Sequence, residues 1–321
     1  MSARGRVPRL LERAGMGLVF VALFVACSVF VPNFLTHANL EGLLLSVSTI
    51  GLVACTMLYC LAAGNFDLSV GSTVACSGVV CAVVLRDTQS LGLGVLAALA
   101  CGLAVGVVNG AAVAYGRMNP LITTLATMQI VRGAGYIAND GKAIGIGDER
   151  FFALGNARPL AGVPGLDFPL PVWIAACAML AFGFLLARTT FGRATLAIGG
   201  NPEAARLAGL PVERVQLAIF ALQGLVAALA GLVLASRMTS GQPTSSQGLE
   251  LEVISACVLG GVSLNGGKGS MLAVVAGVLI LGLVQNAMSL LNVDSFWQYV
   301  ARGSILLGAI AYDRWRHRHA P

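Results

Sequence analysis

Ten apolar segments, each close to the length a helix needs to cross a bilayer, recur along the chain near residues 15–32, 41–63, 68–85, 91–115, 120–138, 170–187, 216–236, 250–264, 271–290 and 297–312. A helix gains 1.5 Å per residue and the hydrocarbon core is about 30 Å thick, so roughly 20 apolar residues span it. Lipid offers no water to pair with backbone amides and carbonyls, and a helix satisfies them internally. The segments predict an all-α integral membrane protein with about ten transmembrane helices. Composition agrees: only 11% of residues are charged, against about a quarter in soluble domains. The fifth and eighth segments carry Gly, Thr or Ser and a charged or amide group, which fits spans enclosed by other helices.

Basic residues test this count independently, because loops on the cytoplasmic face accumulate Lys and Arg. With both termini cytoplasmic and ten alternating spans, 13 of the 20 basic residues fall inside and five outside, while Arg132 and Arg302 lie within spans. The chain then divides into a cytoplasmic tail (1–14), one transmembrane domain (15–312) and a second cytoplasmic tail (313–321). A long external connection covers about 139–169 and a long cytoplasmic one about 188–214. The net charge of +6 reports orientation in the membrane and points to no nucleic-acid partner. The basic start leads into an apolar run without a small-residue cleavage pattern, so the first span is expected to remain as an anchor.

Eight cysteines lie in apolar spans without a CxxC pair or His partners at metal-site spacing, and read as small packing residues. Gly102, Gly106 and Gly110 recur every four residues on one face of the fourth span, a pattern for close helix approach. "GGVSLNGGKGS" from Gly260 imitates a phosphate loop but has Val262 in place of the opening glycine, and Gly269 where Ser or Thr should hold magnesium. ATP-driven work by this chain would need a separate polypeptide. "GNFDLSVGS" from Gly64 is a related turn, and each lies between two spans. Asp67 there suits a capping role at the next helix or a direct part in transport.

The polar connection reads "TTFGRATLAIGGNPEAARLAGLPVERV" from Thr189, with Arg188, Arg193, Arg206 and Arg214 around Glu203, Ala204, Ala205 and Gly209. It suits a docking element for a partner, or equally a short amphipathic helix on the membrane surface.

With these segments, "NPLITTLATMQIVRG" from Asn119, "DGKAIGIGDERFFALG" from Asp140, "ASRMTSGQP" from Ala235, "ISACVLGGVSLNGGKG" from Ile254 and "QNAMSLLNV" from Gln285, the chain resembles the permease subunits of bacterial ABC sugar importers, in the ribose, arabinose and galactose branch. The resemblance runs from about residue 15 to 315 and is strongest toward the arabinose members. It implies the ABC importer permease fold and a catalytically inert subunit that binds no cofactor itself. ATP and magnesium would be used by a cytoplasmic ATPase docking on Glu203, Ala204, Ala205 and Gly209. A periplasmic binding protein would deliver the sugar, L-arabinose ahead of ribose or galactose, and the permease would pair as a homodimer among the lipids of the inner membrane. The family's turn motifs fall on Gly64, Asp67, Ser69 and Gly71, and on Gly260, Gly261 and Ser263.

A neutral sugar needs amide, hydroxyl or guanidinium groups along its route. Polar residues within spans supply candidates: Asn109, Gln129, Arg132, Gln223, Gln285, Asn286 and Arg302. Interhelical bonding explains the amides as well, and snorkelling explains the arginines. An ion-coupled secondary sugar transporter is the competing reading. Such carriers place acidic residues near the bilayer centre, whereas Glu41, Asp67, Asp87, Glu250, Glu252 and Asp294 sit at span ends.

Overall fold

The structure, a computed structural model, describes residues 6–163 and 165–318. The outer parts of the two expected tails, 1–5 and 319–321, lie outside the described residues. Thirteen helices are present among those described: α1 (Arg6–Phe30), α2 (His37–Ala62), α3 (Val70–Thr88), α4 (Leu91–Ala114), α5 (Pro120–Ile137), α6 (Glu149–Asn156), α7 (Leu170–Arg188), α8 (Thr190–Gly200), α9 (Pro202–Leu207), α10 (Val212–Met238), α11 (Leu249–Leu259), α12 (Met271–Leu290) and α13 (Ser295–Arg318).

Every expected span overlaps a helix, although the eighth, 250–264, is helical only to Leu259. By length and composition, six helices among the described residues can cross a membrane: α2, α3, α4, α7, α10 and α12. Just 11 residues make up α11, about 16 Å of rise, and α5 opens on Pro120 with a run of Thr and amide residues that lowers its hydropathy. The architecture is therefore a bundle of predominantly apolar helices with six of membrane-spanning character, and it does not by itself fix ten crossings. One departure from all-α is a pair of two-residue strands, β1 (Ile144–Gly145) and β2 (Ser240–Gly241), joined antiparallel with Ile144 opposite Gly241.

The bundle is built around α2, whose residues are buried without a break from Val47 to Ala62. That continuous burial is supplied by α7, α8, α10, α11 and α12, which pack around it. Of its polar side chains, Ser48 Oγ donates to the Leu45 carbonyl (2.8 Å) and Tyr59 Oη to the Phe182 carbonyl on α7, while the buried Thr49 Oγ1 has no partner. The most extensive helix pairing is α4 against α10. A Cβ on Gly102 would strike Ala228 and the Gly224 backbone, one on Gly106 the Phe220 carbonyl, and one on Gly110 Leu217. The four-residue glycine repeat thus marks the seam where two backbones meet. Five cysteines (Cys55, Cys60, Cys76, Cys81 and Cys257) are buried packing residues, while Cys177 is exposed on α7.

The ends of the bundle differ. At one end Ala62, Gly199 and Gly267 converge, with the Gly267 amide donating to the Ala62 carbonyl at 2.9 Å. At the other, the β1–β2 pair joins the 139–169 connection to the segment after α10, and Ser236 Oγ donates to the Phe151 carbonyl on α6 (2.6 Å). Arg158 bridges Glu41 (2.6 Å) and Asp167 (3.3 Å) there. The side-chain bond with Glu41 pushes the Arg158 guanidinium above its ordinary range.

Candidate functional site

The expected docking connection is two helices, not a loop. Gly192 and Gly199 let α8 press onto the bundle: a Cβ on Gly192 would collide with Leu186, and one on Gly199 with the Ala62 carbonyl and the Gly267 amide. Asn201 then closes α8 and opens α9, its side chain accepting from the Ala204 amide at 2.9 Å, as a helix N-cap does. Ala205 is buried, whereas Glu203, Ala204 and Arg206 face outward and Leu207 is 90% exposed. Leu210 N returns to the Ala205 carbonyl (3.0 Å), and Gly209 takes φ +84° in that turn, a region costly for residues with a Cβ. Arg206 Nη2 bonds Glu213 Oε1 at 2.6 Å, tying α9 to the first turn of α10. The result is a short helix, presented outward, whose attachments lead into α10.

Close to that end lies a buried polar knot. Asp67 accepts from the Ser69 amide (2.8 Å) and from Ser69 Oγ (2.6 Å), and Asn109 Nδ2 on α4 donates to Ser69 Oγ (2.9 Å). The Leu68 amide donates to Thr124 Oγ1 on α5 at 3.1 Å. Asp67 therefore fixes Ser69, the residue just before α3, and receives no amide from within that helix among the described residues. Gly71 sits where a Cβ would collide with Glu250 and the Ser246 carbonyl, and Gly64 forms the exposed turn before the knot. In the second turn motif, Gly260 packs on the α12 backbone at Ala273, Gly261 ends α11, and buried Ser263 receives the Asn265 amide on its Oγ (3.3 Å).

The candidate route residues separate into two groups. Arg132 Nη1 donates to the carbonyls of Pro243 (2.9 Å) and Ser245 (2.8 Å), Arg302 pairs with Glu252 on α11, and Asn286 exchanges amide bonds with Asn39 on α2 (2.7 and 3.1 Å). These three bond elements together, and both arginines find acceptors within the protein, although Arg302 keeps a buried Nε without a partner. The other group has capacity left over. Gln223 is fully buried on α10 with its Nε2 unpartnered, Gln285 Nε2 on α12 is buried and unpartnered, Asn109 keeps a free Oδ1, and Gln129 is exposed on α5. Sequence reasoning missed Asn65, whose buried Nδ2 is also unpartnered beside Asp67. It stands at a helix end, outside every apolar segment, so a search of spans for polar residues passes over it.

Helices long and apolar enough to cross a membrane, a short exposed helix at one end and buried amides between helices are features that a membrane transport subunit requires. The chain belongs to the family described as branched-chain amino acid transport system / permease component, which matches residues 39–310. It is 58% identical to the L-arabinose transport system permease protein AraH of Escherichia coli (strain K12), over 97% of this chain and 93% of that one. Identity to the L-arabinose ABC transporter permease protein AraH of Azospirillum brasilense is 52%, over 98% and 91% of the two chains. The ribose import permease protein RbsC of Escherichia coli (strain K12) is 37% identical over 95% of this chain and 94% of its own length. No solved structure matches the chain.

Proposed function

We propose that this chain is the permease subunit of an ATP-driven importer that carries a monosaccharide, L-arabinose, across the bacterial inner membrane. The observation that carries the reading is 58% identity to an L-arabinose permease along nearly the whole chain. Arabinose is preferred to ribose because identity to the ribose permease falls to 37%. Galactose is the further alternative in the same branch.

In this reading ten crossings leave the tails and the α8–α9 segment in the cytoplasm and the 139–169 connection outside. Two copies pair, each engaging an ATPase that uses ATP and magnesium, and a periplasmic binding protein delivers the sugar. The subunit performs no chemistry on the sugar and binds no cofactor. The ATPase grips α9 through Glu203, Ala204 and Leu207 while Ala205 and the Gly209 turn hold its shape. Movement passes through the Arg206–Glu213 pair into α10, where Gln223 stands eleven residues beyond Val212, about 16 Å at helical rise. Gln223, Gln285, Asn109 and Gln129 supply the polar route, and access alternates from one face to the other.

The test is uptake by cells lacking their own arabinose import and supplied with this chain and its partners. Labelled L-arabinose should accumulate, and excess ribose or galactose should compete weakly. Accumulation of ribose without arabinose would overturn the sugar, leaving the importer reading intact.

A further inference from the structure

A groove with a cavity volume of about 480 Å³ opens between the α4–α5 turn and the start of α10, lined by Ala114, Tyr115, Arg117, Pro211, Glu213 and Arg214. Its charge is not balanced locally. Glu213, the acidic group in the lining, is hydrogen-bonded by Arg206 from α9 at 2.6 Å and feels the charge of Arg117, and Arg117 and Arg214 are exposed with no carboxylate hydrogen-bonded to them among the described residues. Beside them the Tyr115 ring is 56% exposed at the end of an apolar spanning helix. Met118 in the turn and Leu121 and Ile122 on α5 are exposed. Basic and aromatic side chains at a helix end followed by bare apolar surface are the pattern of the headgroup level of a bilayer.

From this arrangement we infer that the groove formed by Tyr115, Arg117 and Arg214 holds the phosphate headgroup of an anionic phospholipid, whose acyl chains lie along Met118, Leu121 and Ile122. Two guanidiniums offer planar pairs of donors to phosphate oxygens, and the Tyr115 hydroxyl adds a third donor. A soluble anion would leave the adjoining apolar strip uncovered. A purely apolar occupant would leave two arginines without a counter-charge. A lipid with a charged head satisfies both at once. The inference does not depend on which sugar is carried. It places the lipid beside α9, where bound headgroup bears on the Arg206–Glu213 link.

The test uses the full chain purified in detergent, titrated with dioleoylphosphatidylglycerol and read by native mass spectrometry. Wild-type protein should retain bound phosphatidylglycerol that neither dioleoylphosphatidylcholine nor free glycerol phosphate displaces. In Arg117→Gln/Arg214→Gln the half-saturating concentration should rise about 30-fold at low salt, from roughly one factor of five per basic residue near a charged membrane surface. Arg188→Gln/Arg193→Gln, which removes two charges elsewhere at the same end, should bind as wild type, and Arg117→Lys/Arg214→Lys should keep most of the affinity even if the glutamine variant proves unstable. Unchanged binding in the glutamine variant, or equal loss in both double glutamine variants, overturns the inference. Equal affinity for glycerol phosphate alone would make this a free-anion site. Loss of ATPase co-purification with lipid binding intact would make it a protein contact.

Discussion

Buried amides on neighbouring helices differ in how much of their hydrogen-bonding capacity is already used. Asn109 spends its nitrogen on Ser69 and so fixes the residue that opens α3. Asn109→Ala should lower the unfolding free energy by about 1 kcal/mol, the scale of interhelical polar bonds in membranes, measured by reversible denaturation in bicelles. Gln223 instead keeps an unpartnered nitrogen in full burial, a group whose desolvation costs about 1 to 3 kcal/mol. Gln223→Met should leave stability unchanged or improved while sugar uptake falls several-fold. Marked destabilisation of that variant would assign Gln223 to structure. Gly209 allows a similar separation. A side chain there meets no neighbour within 4 Å, so its cost is the backbone at φ +84°, about 1 to 2 kcal/mol. Gly209→Val should impair uptake, and Gly209→Asn, which tolerates that region, should retain more of it. Equal uptake by both would remove the turn from the mechanism.

At the scale of elements, α8 and α9 divide the labour of one polar connection. Backbone contact at Gly192 and Gly199 makes α8 part of the bundle, and α9 carries the exposed surface. Ala205→Trp should therefore displace α9 against its own support, lowering ATPase co-purification and uptake together while the rest of the bundle remains folded. Normal values of both would exclude α9 as the docking element. Gly224 makes a converse case, since a Cβ there would collide with the Gly102 carbonyl and the Gly106 backbone. Gly224→Val should cost about 3 kcal/mol by overpacking and reduce yield of assembled protein before any effect on transport appears. On the opposite end, the Arg150 side chain holds the Asp148 carboxyl below its ordinary range where it caps α6. A carboxyl with a lowered folded value stabilises the fold at neutral pH, and this contribution disappears only as pH falls through that lowered value.

Across the whole molecule, the helices that a sequence reveals are those with long apolar stretches. α2, α4, α7, α10 and α12 are legible for that reason, and the Gly102–Gly106–Gly110 repeat is legible because small residues at helical spacing have few other uses in lipid. The short elements are not. α6 and α8 are held by contacts to other helices, and β1 pairs with a segment almost a hundred residues away, Ile144 with Gly241. The 188–214 connection is recognisable as a polar interruption, yet the exposure of Leu207 and the burial of Ala205 depend on how α9 lies. Polar residues within spans were visible as a set. Which of them are already satisfied, as Arg132 and Asn286 are, follows from packing partners distant in sequence. Orientation is testable by impermeant thiol labelling in a functional Cys-depleted background: in intact cells a cysteine at Gly145 should react and one at Ala204 should not. Labelling at Ala204 from outside would reverse the sidedness.

The most direct measurement of the central claim is uptake of labelled L-arabinose into proteoliposomes containing this chain, a candidate ATPase and the binding protein. ATP on the ATPase side should drive accumulation, a proton ionophore should leave it intact, and omitting the ATPase should abolish it. Robust accumulation without the ATPase, dependent on an ion gradient, would contradict the account.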